Sequence, residues 1–126
     1  MNDLRYSSDH VWVRLDDDGM ATVGITDYAQ AELGDVIAVE APEVERDIVV
    51  NEEIGMLEAD DGSFELKAPT SGSVGEVNET VFDKPELINE SPFDDGWIFR
   101  MNIDNEEALD DLMDEEDYAD FLDSLS

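Results

Sequence analysis

Short apolar segments separated by turn residues are the feature that most restricts the fold of this 126-residue chain. Val11–Leu15 alternates as a half-buried strand does, and the turn residues Asp16–Gly19 predict a hairpin that leads into Ala21–Ile25. Further segments of strand length follow at residues 35–40, 47–50, 54–57, 64–67, 72–77 and 97–103. Because turn residues recur about every 8–12 positions, the pattern predicts a β-sandwich or a flattened barrel.

A short helix is predicted directly after the first hairpin. Thr26 is suited to cap it, because a threonine side chain can accept a hydrogen bond from a backbone N–H of the first turn. Ala29 and Leu33 would form its apolar side, and Gly34 would end it. The strand that follows, residues 35–40, is closed by the turn residues Ala41 and Pro42.

The spacing of apolar residues becomes helical again near the C-terminus. Asp104 or Asn105 can cap one helix, and Asp114 can cap a second. The apolar residues of the two helices are Leu109, Leu112 and Met113, followed by Tyr118, Phe121, Leu122 and Leu125. We expect this apolar stripe to pack on the sheet rather than to bind a partner helix.

One domain is expected for a chain of this length, and 41% hydrophobic residues suffice for one core. The domain would span residues 1–126, with the sandwich over about 6–103 and the C-terminal helices over about 105–125, without a linker. The fold class expected is therefore mainly β, with one short helix in the N-terminal half and a helical C-terminal region.

The net charge of −30, from 36 acidic and six basic residues, restricts the partners of the chain. Nucleic acids and anionic membrane surfaces are excluded because both are bound through clustered Lys and Arg. No apolar run approaches the ~20 residues of a membrane-spanning helix. The acids extend from Asp3 to Asp123 among ten aromatic residues, which indicates a folded cytoplasmic protein of a halophile rather than a disordered acidic tail.

Side-chain catalysis is not indicated by any motif. With 36 carboxylates some close pair is unavoidable, so a pair of acids is no evidence for acid–base chemistry. His10 is the only histidine and cysteine is absent, which excludes a multi-histidine or thiolate metal site. An enzyme that combines His10 with carboxylates is the alternative that no motif supports, and we expect no catalytic or metal-binding residues. A carrier or binding protein fits the sequence better.

The order and spacing of several motifs resemble the H protein of the glycine cleavage system, a family of lipoyl carriers. The match runs from Tyr6 into the C-terminal helices. Its motifs are Ser8–Val13, Val23–Gln30, Leu33–Val36, Gly55–Glu58, Ala68–Gly72, Glu76–Asn78, Pro85–Asn89 and Gly96–Ile98. Each motif alone is weak, but together they are highly specific.

The resemblance implies a lipoyl-domain β-sandwich in which a hairpin tip presents a lysine that is amide-linked to lipoate. The lipoyl arm of such a protein receives an aminomethyl group at glycine decarboxylase (P protein) and transfers it to aminomethyltransferase (T protein). Dihydrolipoyl dehydrogenase then reoxidises the arm, so the cofactor carries the chemistry and the protein supplies the mount.

This chain departs from the family at the attachment lysine. The family hairpin reads Glu-Ser-Val-Lys-Ala, whereas the sequence from Glu58 reads Glu-Ala-Asp-Asp-Gly and ends at Gly62. Counting three residues forward from Glu58, or seven back from Ala68, leads to Asp61 both times. Asp60 precedes it, so two carboxylates occupy the expected tip.

Two other lysines could in principle carry the cofactor. Lys67 lies six residues beyond Asp61, which is up to about 20 Å along a strand. Lys84, in the loop before Pro85, is a weaker candidate. We therefore expect a non-catalytic, non-lipoylated H protein homologue that docks on the P protein, the T protein or a lipoate-attaching enzyme, with a Lys67-based carrier as the alternative.

Overall fold

The structure is a computed structural model that describes residues 4–7, 9–16, 19–41, 43–104, 109 and 111–125. Positions 8, 17, 18, 42 and 105, which belong to the sequence motifs above, lie outside these ranges. The elements are β1 (Leu4–Tyr6), β2 (Val11–Leu15), β3 (Met20–Ile25), α1 (Asp27–Leu33), β4 (Val36–Glu40), β5 (Asp47–Ile48), β6 (Glu53–Ala59), β7 (Gly62–Lys67), β8 (Gly72–Val77), α2 (Glu79–Asp83), α3 (Glu86–Glu90), β9 (Phe99–Ile103) and α4 (Glu115–Leu125).

Two antiparallel sheets form the body of the molecule, which confirms the predicted β-sandwich. One sheet has the strand order β1-β2-β3-β9-β8-β5, and the other has the order β4-β6-β7. Side chains from both sheets share one core, in which Val23 and Phe99 of the larger sheet and Leu57 and Leu66 of the smaller one are fully buried. Burial of these alternating apolar residues is the main force that holds the sheets face to face.

The first hairpin and the helix after it form where the sequence predicts them. Strand β2 pairs with β3 in a register that places Leu15 opposite Ala21. The Thr26 hydroxyl accepts a hydrogen bond from the Ala29 N–H (3.3 Å) and so caps α1. Gly34 ends the helix with a φ of 78°, a conformation that favours glycine.

Several elements differ from the prediction. The segment 47–50 is a strand only over Asp47–Ile48, because the chain turns at Asn51 (φ 71°) and the Glu52 N–H donates to the Val49 carbonyl (2.9 Å). The last strand begins at Phe99 rather than at residue 97. The sequence did not predict β1, α2 and α3, since three to five residues are too few to show a period.

The prediction of the first C-terminal helix is wrong at its C-terminal end, where it included Met113. Residues 105–108 and 110 lie outside the described part of the chain. Met113 does not lie in a helix, because its backbone exchanges two hydrogen bonds with Tyr6 (2.8 and 2.9 Å). The second helix is confirmed as α4, where the Asp114 carboxylate accepts a hydrogen bond from the Asp117 N–H (2.8 Å).

Helix α4 packs on the outer face of the larger sheet. The Tyr118 ring stacks on Tyr6 with centroids 4.5 Å apart and forms a second buried cluster with Trp12. The Trp12 indole N–H donates to the Pro92 carbonyl (2.8 Å), so its polar edge is satisfied inside the cluster. The apolar stripe of α4 thus packs on the sheet, as the sequence predicts.

Candidate functional site: the tip of the β6–β7 hairpin

The β6–β7 hairpin carries Asp61 at its tip. Ala59 pairs with Gly62, so Asp60 and Asp61 are the two residues of the turn. Asp60, Asp61 and Gly62 are all exposed to solvent, as is Glu58 on the strand that leads into the turn. The count from Glu58 and from Ala68 therefore leads to Asp61, which the structure places at the end of a hairpin. The resemblance expects the attachment point of a lipoyl carrier at such a tip.

The backbone of the tip is fixed by the chain beneath it. The Asp60 N–H donates to the Asp35 carbonyl and the Asp61 N–H donates to the Leu33 carbonyl, both at 3.1 Å. The Asp61 carboxylate lies beside Gly34, 2.9 Å from where a Cβ atom would be, and the positive φ of Gly34 (78°) is what favours glycine there. The turn is thus seated on the segment that connects α1 to β4.

Asn89 holds that connecting segment in place. Its side-chain oxygen accepts a hydrogen bond from the Val36 N–H (2.8 Å), and its amide nitrogen donates to the Gly34 carbonyl (2.7 Å) and to Gln30 Oε1 (3.0 Å). Asn89 belongs to one of the sequence motifs above, but the sequence assigned it no role. The only local signal is an amide residue near the end of a five-residue helix, and its partners are more than 50 positions away in the chain.

The chemistry available at the tip is that of carboxylates. The described residues include no Lys, Arg or His within ion-pair distance of Asp60 or Asp61. A lipoyl amide requires an amine, which an aspartate side chain does not supply. The tip can instead repel anions or attract a basic group.

Lys67 lies at the opposite end of the same hairpin. It pairs in register with Glu53 at the start of β6, and its ammonium group lies 4.0 Å from the Glu65 carboxylate. It lines a shallow cavity of about 400 Å³ together with Asp9, His10, Ser63, Phe64 and Glu65. Lys84 follows α2, where its N–H donates to the Thr80 carbonyl (2.8 Å). The register of the hairpin therefore keeps Lys67 away from the tip, and in the described ranges Lys84 forms no ion pair with Asp60 or Asp61.

His10 connects three elements near this cavity. Its Nδ1 lies 2.8 Å from the Tyr118 hydroxyl of α4, which in turn lies 2.7 Å from the Thr26 hydroxyl that caps α1. The imidazole also packs against Tyr28, with ring centroids 4.6 Å apart. Burial lowers the pKa of His10, although the carboxylates of Asp9 and Glu32 act in the opposite direction.

Neither a catalytic triad nor a metal centre is assembled by the residues that the structure describes. The polar partner of His10 is a tyrosine, whereas a triad needs a carboxylate and a nucleophile on the imidazole. Within the described ranges, no group of three or more His, Asp or Glu side chains is placed to hold a metal ion. The same part of the chain contains no helix that is long and apolar enough to cross a membrane.

The two sheets, the shared core and the two-residue hairpin tip define a lipoyl-domain-like β-sandwich. The family model described as glycine cleavage H-protein matches residues 4–125. This chain therefore belongs to the glycine cleavage H-protein family.

Curated relatives and a solved structure agree with this assignment. The chain is 44% identical to the glycine cleavage system H protein of Staphylococcus carnosus, over 95% of this chain and 94% of the relative. It is 43% identical to the H protein of Parvibaculum lavamentivorans, over 99% of both chains. The crystal structure of a glycine cleavage system H protein from Mycobacterium marinum superimposes with a TM-score of 0.85 at 32% identity, over 94% of this chain and 95% of that one.

Proposed function

We propose that this chain is a glycine cleavage H protein homologue that is not lipoylated and acts by docking on its partners. The observation that carries the proposal is Asp61, a carboxylate at the tip of the hairpin where the family resemblance expects the lipoyl-lysine. A carboxylate does not form the lipoyl amide, so the chain lacks the carrier group while it keeps the fold that presents it.

The partners that this function implies are those of the glycine cleavage system. They are glycine decarboxylase (P protein), aminomethyltransferase (T protein), dihydrolipoyl dehydrogenase and the enzyme that attaches lipoate. The chain would occupy the docking surface of the P protein, the T protein or the lipoate-attaching enzyme without delivering a cargo and would itself catalyse nothing. We place it in the cytoplasm of a halophile, since acids cover the chain from end to end.

Intact mass after lipoylation in vitro tests the missing attachment site. Wild type, Asp61→Lys and a graft of Ser-Val-Lys-Ala at positions 59–62 are incubated with lipoate, ATP and a lipoate ligase. We expect no adduct on wild type and more adduct on the graft than on Asp61→Lys, because the single variant keeps the negative charge of Asp60 beside the new lysine. A lipoyl adduct on wild type that maps to Lys67 or Lys84 would overturn the proposal and favour an unusual carrier.

The graft needs one matched control because of the turn geometry. Gly62 has a φ of 147°, where a side chain is strained even though nothing lies within 4 Å of its Cβ position. A three-residue graft, Ala59→Ser with Asp60→Val and Asp61→Lys, keeps Gly62 and therefore the present turn. If this variant folds and is modified while the four-residue graft is not, strain at Gly62 and not a missing recognition sequence limits modification.

Docking is tested by binding and by competition. Immobilised P protein, T protein and lipoate ligase are each exposed to wild-type chain over a range of KCl concentrations. We expect saturable binding to at least one of them and competitive inhibition by the wild-type chain when a lipoylated H protein is the substrate. An absence of binding to all three by a folded chain would contradict the docking role.

A further inference from the structure

A second cavity lies at the end of the β6–β7 hairpin opposite the tip. It has a volume of about 590 Å³, and its apolar wall consists of Tyr6, Val50, Pro69, Leu112, Met113 and Phe121. Pro69 is two residues beyond Lys67, so the cavity begins where the hairpin ends. A strand of this length places it up to about 20 Å from Asp61. The cavity and the hairpin tip therefore lie at opposite ends of the same hairpin.

Exposed valines extend this apolar surface beyond the cavity. Val50 is 47% exposed and Val49, next to it, is 61% exposed. The Val50 N–H donates to the hydroxyl of Ser71, another lining residue (3.0 Å), so the loop that contains both valines is tied to the cavity. In a chain with 36 acidic residues, a fixed apolar patch beside a cavity is the kind of surface that marks a binding site.

Two carboxylates stand at the rim of the cavity. Asp104 and Asp111 line it and are exposed, and neither forms an ion pair with any residue in the described ranges. The ion pairs of this part of the chain involve Arg14, Arg46, Lys67 and Arg100 with other acids. An apolar cavity with two unneutralised carboxylates is complementary to an apolar group that carries a positive charge beside it.

We propose that this surface, the distal groove, binds a segment of a partner polypeptide that places a bulky apolar side chain in the cavity and a Lys or Arg at Asp104 and Asp111. Val50 belongs to the cavity wall and the exposed Val49 beside it in sequence does not, so apolar side chains are also exposed outside the cavity, which favours a segment of chain over a small molecule. A second copy of this chain is disfavoured because each copy carries a charge of −30. The groove supplies a docking contact that is separate from the hairpin tip.

Blocked tetrapeptides test the chemistry of the occupant. The probes are acetyl-Gly-Phe-Arg-Gly-amide, the same peptide with Gln for Arg, and the same peptide with Ala for Phe. Each is titrated into the full-length chain, followed by amide NMR shifts, at the lowest KCl concentration at which the chain remains folded. We expect the Phe-Arg peptide to shift resonances of the groove, the Gln peptide to bind up to about fivefold more weakly, as for an exposed ion pair, and the Ala peptide to bind least.

Variants of the groove separate its two contributions. The double variant Asp104→Asn with Asp111→Asn should lose the preference for the Arg peptide over the Gln peptide. Its affinity for the Gln peptide should equal that of wild type. Val50→Glu should weaken all three peptides, whereas Val44→Glu, at a 50% exposed valine that does not line the groove, should change nothing. Equal affinities for the Arg and Gln peptides, or an affinity that Val50→Glu does not change, would overturn the proposal. Self-association in sedimentation experiments that Val50→Glu removes would instead identify a second copy as the occupant.

Discussion

At the scale of the residue, we expect His10 to make the junction of β2, α1 and α4 sensitive to pH. Burial lowers the pKa of His10 in the folded chain, so the unfolded chain binds a proton first as the pH falls. The stability associated with neutral His10 is present above the unfolded value of about 6.5 and is lost as the pH falls from there towards the folded value. The groups that face the ring include Tyr118, whose pKa is raised by burial and which therefore stays neutral in this range.

A substitution at His10 should therefore reduce the pH dependence of unfolding. His10 has a φ of 64°, a region that Asn tolerates well, so His10→Asn keeps the backbone and removes the titrating group. We expect the melting temperature of wild type to fall more steeply than that of His10→Asn between about pH 7 and pH 5 in molar KCl. If the melting temperatures of the two proteins fall in parallel with pH, His10 does not contribute to the pH dependence of stability.

At the scale of the element, the hairpin tip depends on a helix that is distant in sequence. Asn89 of α3 fixes the α1–β4 connection, whose carbonyls in turn accept hydrogen bonds from Asp60 and Asp61. Removal of the Asn89 amide leaves the Gly34 carbonyl and the Val36 N–H without these partners. The tip should therefore become more mobile even though no residue of the hairpin changes.

Asn89→Ala should cost about 1–3 kcal/mol in the free energy of unfolding, the range for unsatisfied groups in a partly buried site. Chemical denaturation measures this cost, and amide exchange at Asp60 and Asp61 should accelerate by more than exchange in β2. Glu90→Ala, at the exposed neighbouring position, is the matched control. It should leave the free energy of unfolding and the amide exchange at the tip unchanged. Equal exchange rates at the tip in wild type and Asn89→Ala would contradict the support that we assign to Asn89.

At the scale of the whole molecule, the charge of −30 opposes folding unless salt screens it. The ion pairs of the described residues offset little of this repulsion, because they are few and partly exposed to solvent. The Debye length falls from ~10 Å at 0.1 M salt to ~3 Å at 1 M, so the repulsion between neighbouring carboxylates should weaken strongly over that range.

The melting temperature should therefore rise substantially between ~0.1 M and ~1 M KCl. The control is the same comparison near pH 4, where many carboxylates are partly protonated and the effect of salt should be smaller. A melting temperature that is constant across the salt range at neutral pH would refute the interpretation of the chain as halophilic.

The sequence by itself determined the elements whose signals are local. The β2–β3 hairpin follows from alternation and a turn, α1 follows from its Thr26 cap and Gly34 stop, and α4 follows from Asp114 and helical spacing. Counting from Glu58 and from Ala68 is enough to place Asp61 in the turn, because the strands on either side of it pair without a bulge at the tip. Such elements obey rules that span only a few neighbouring residues.

Only the tertiary structure decided the elements and roles that depend on residues far apart in the chain. Strand β1 is three residues long and forms because Tyr6 pairs with Trp12 on one side and with Met113 on the other. The role of Asn89 and the distal groove likewise arise where segments from distant parts of the sequence meet. A short element gains little stability from its own sequence, and most of what holds it comes from hydrogen bonds and burial that exist only after the chain has folded.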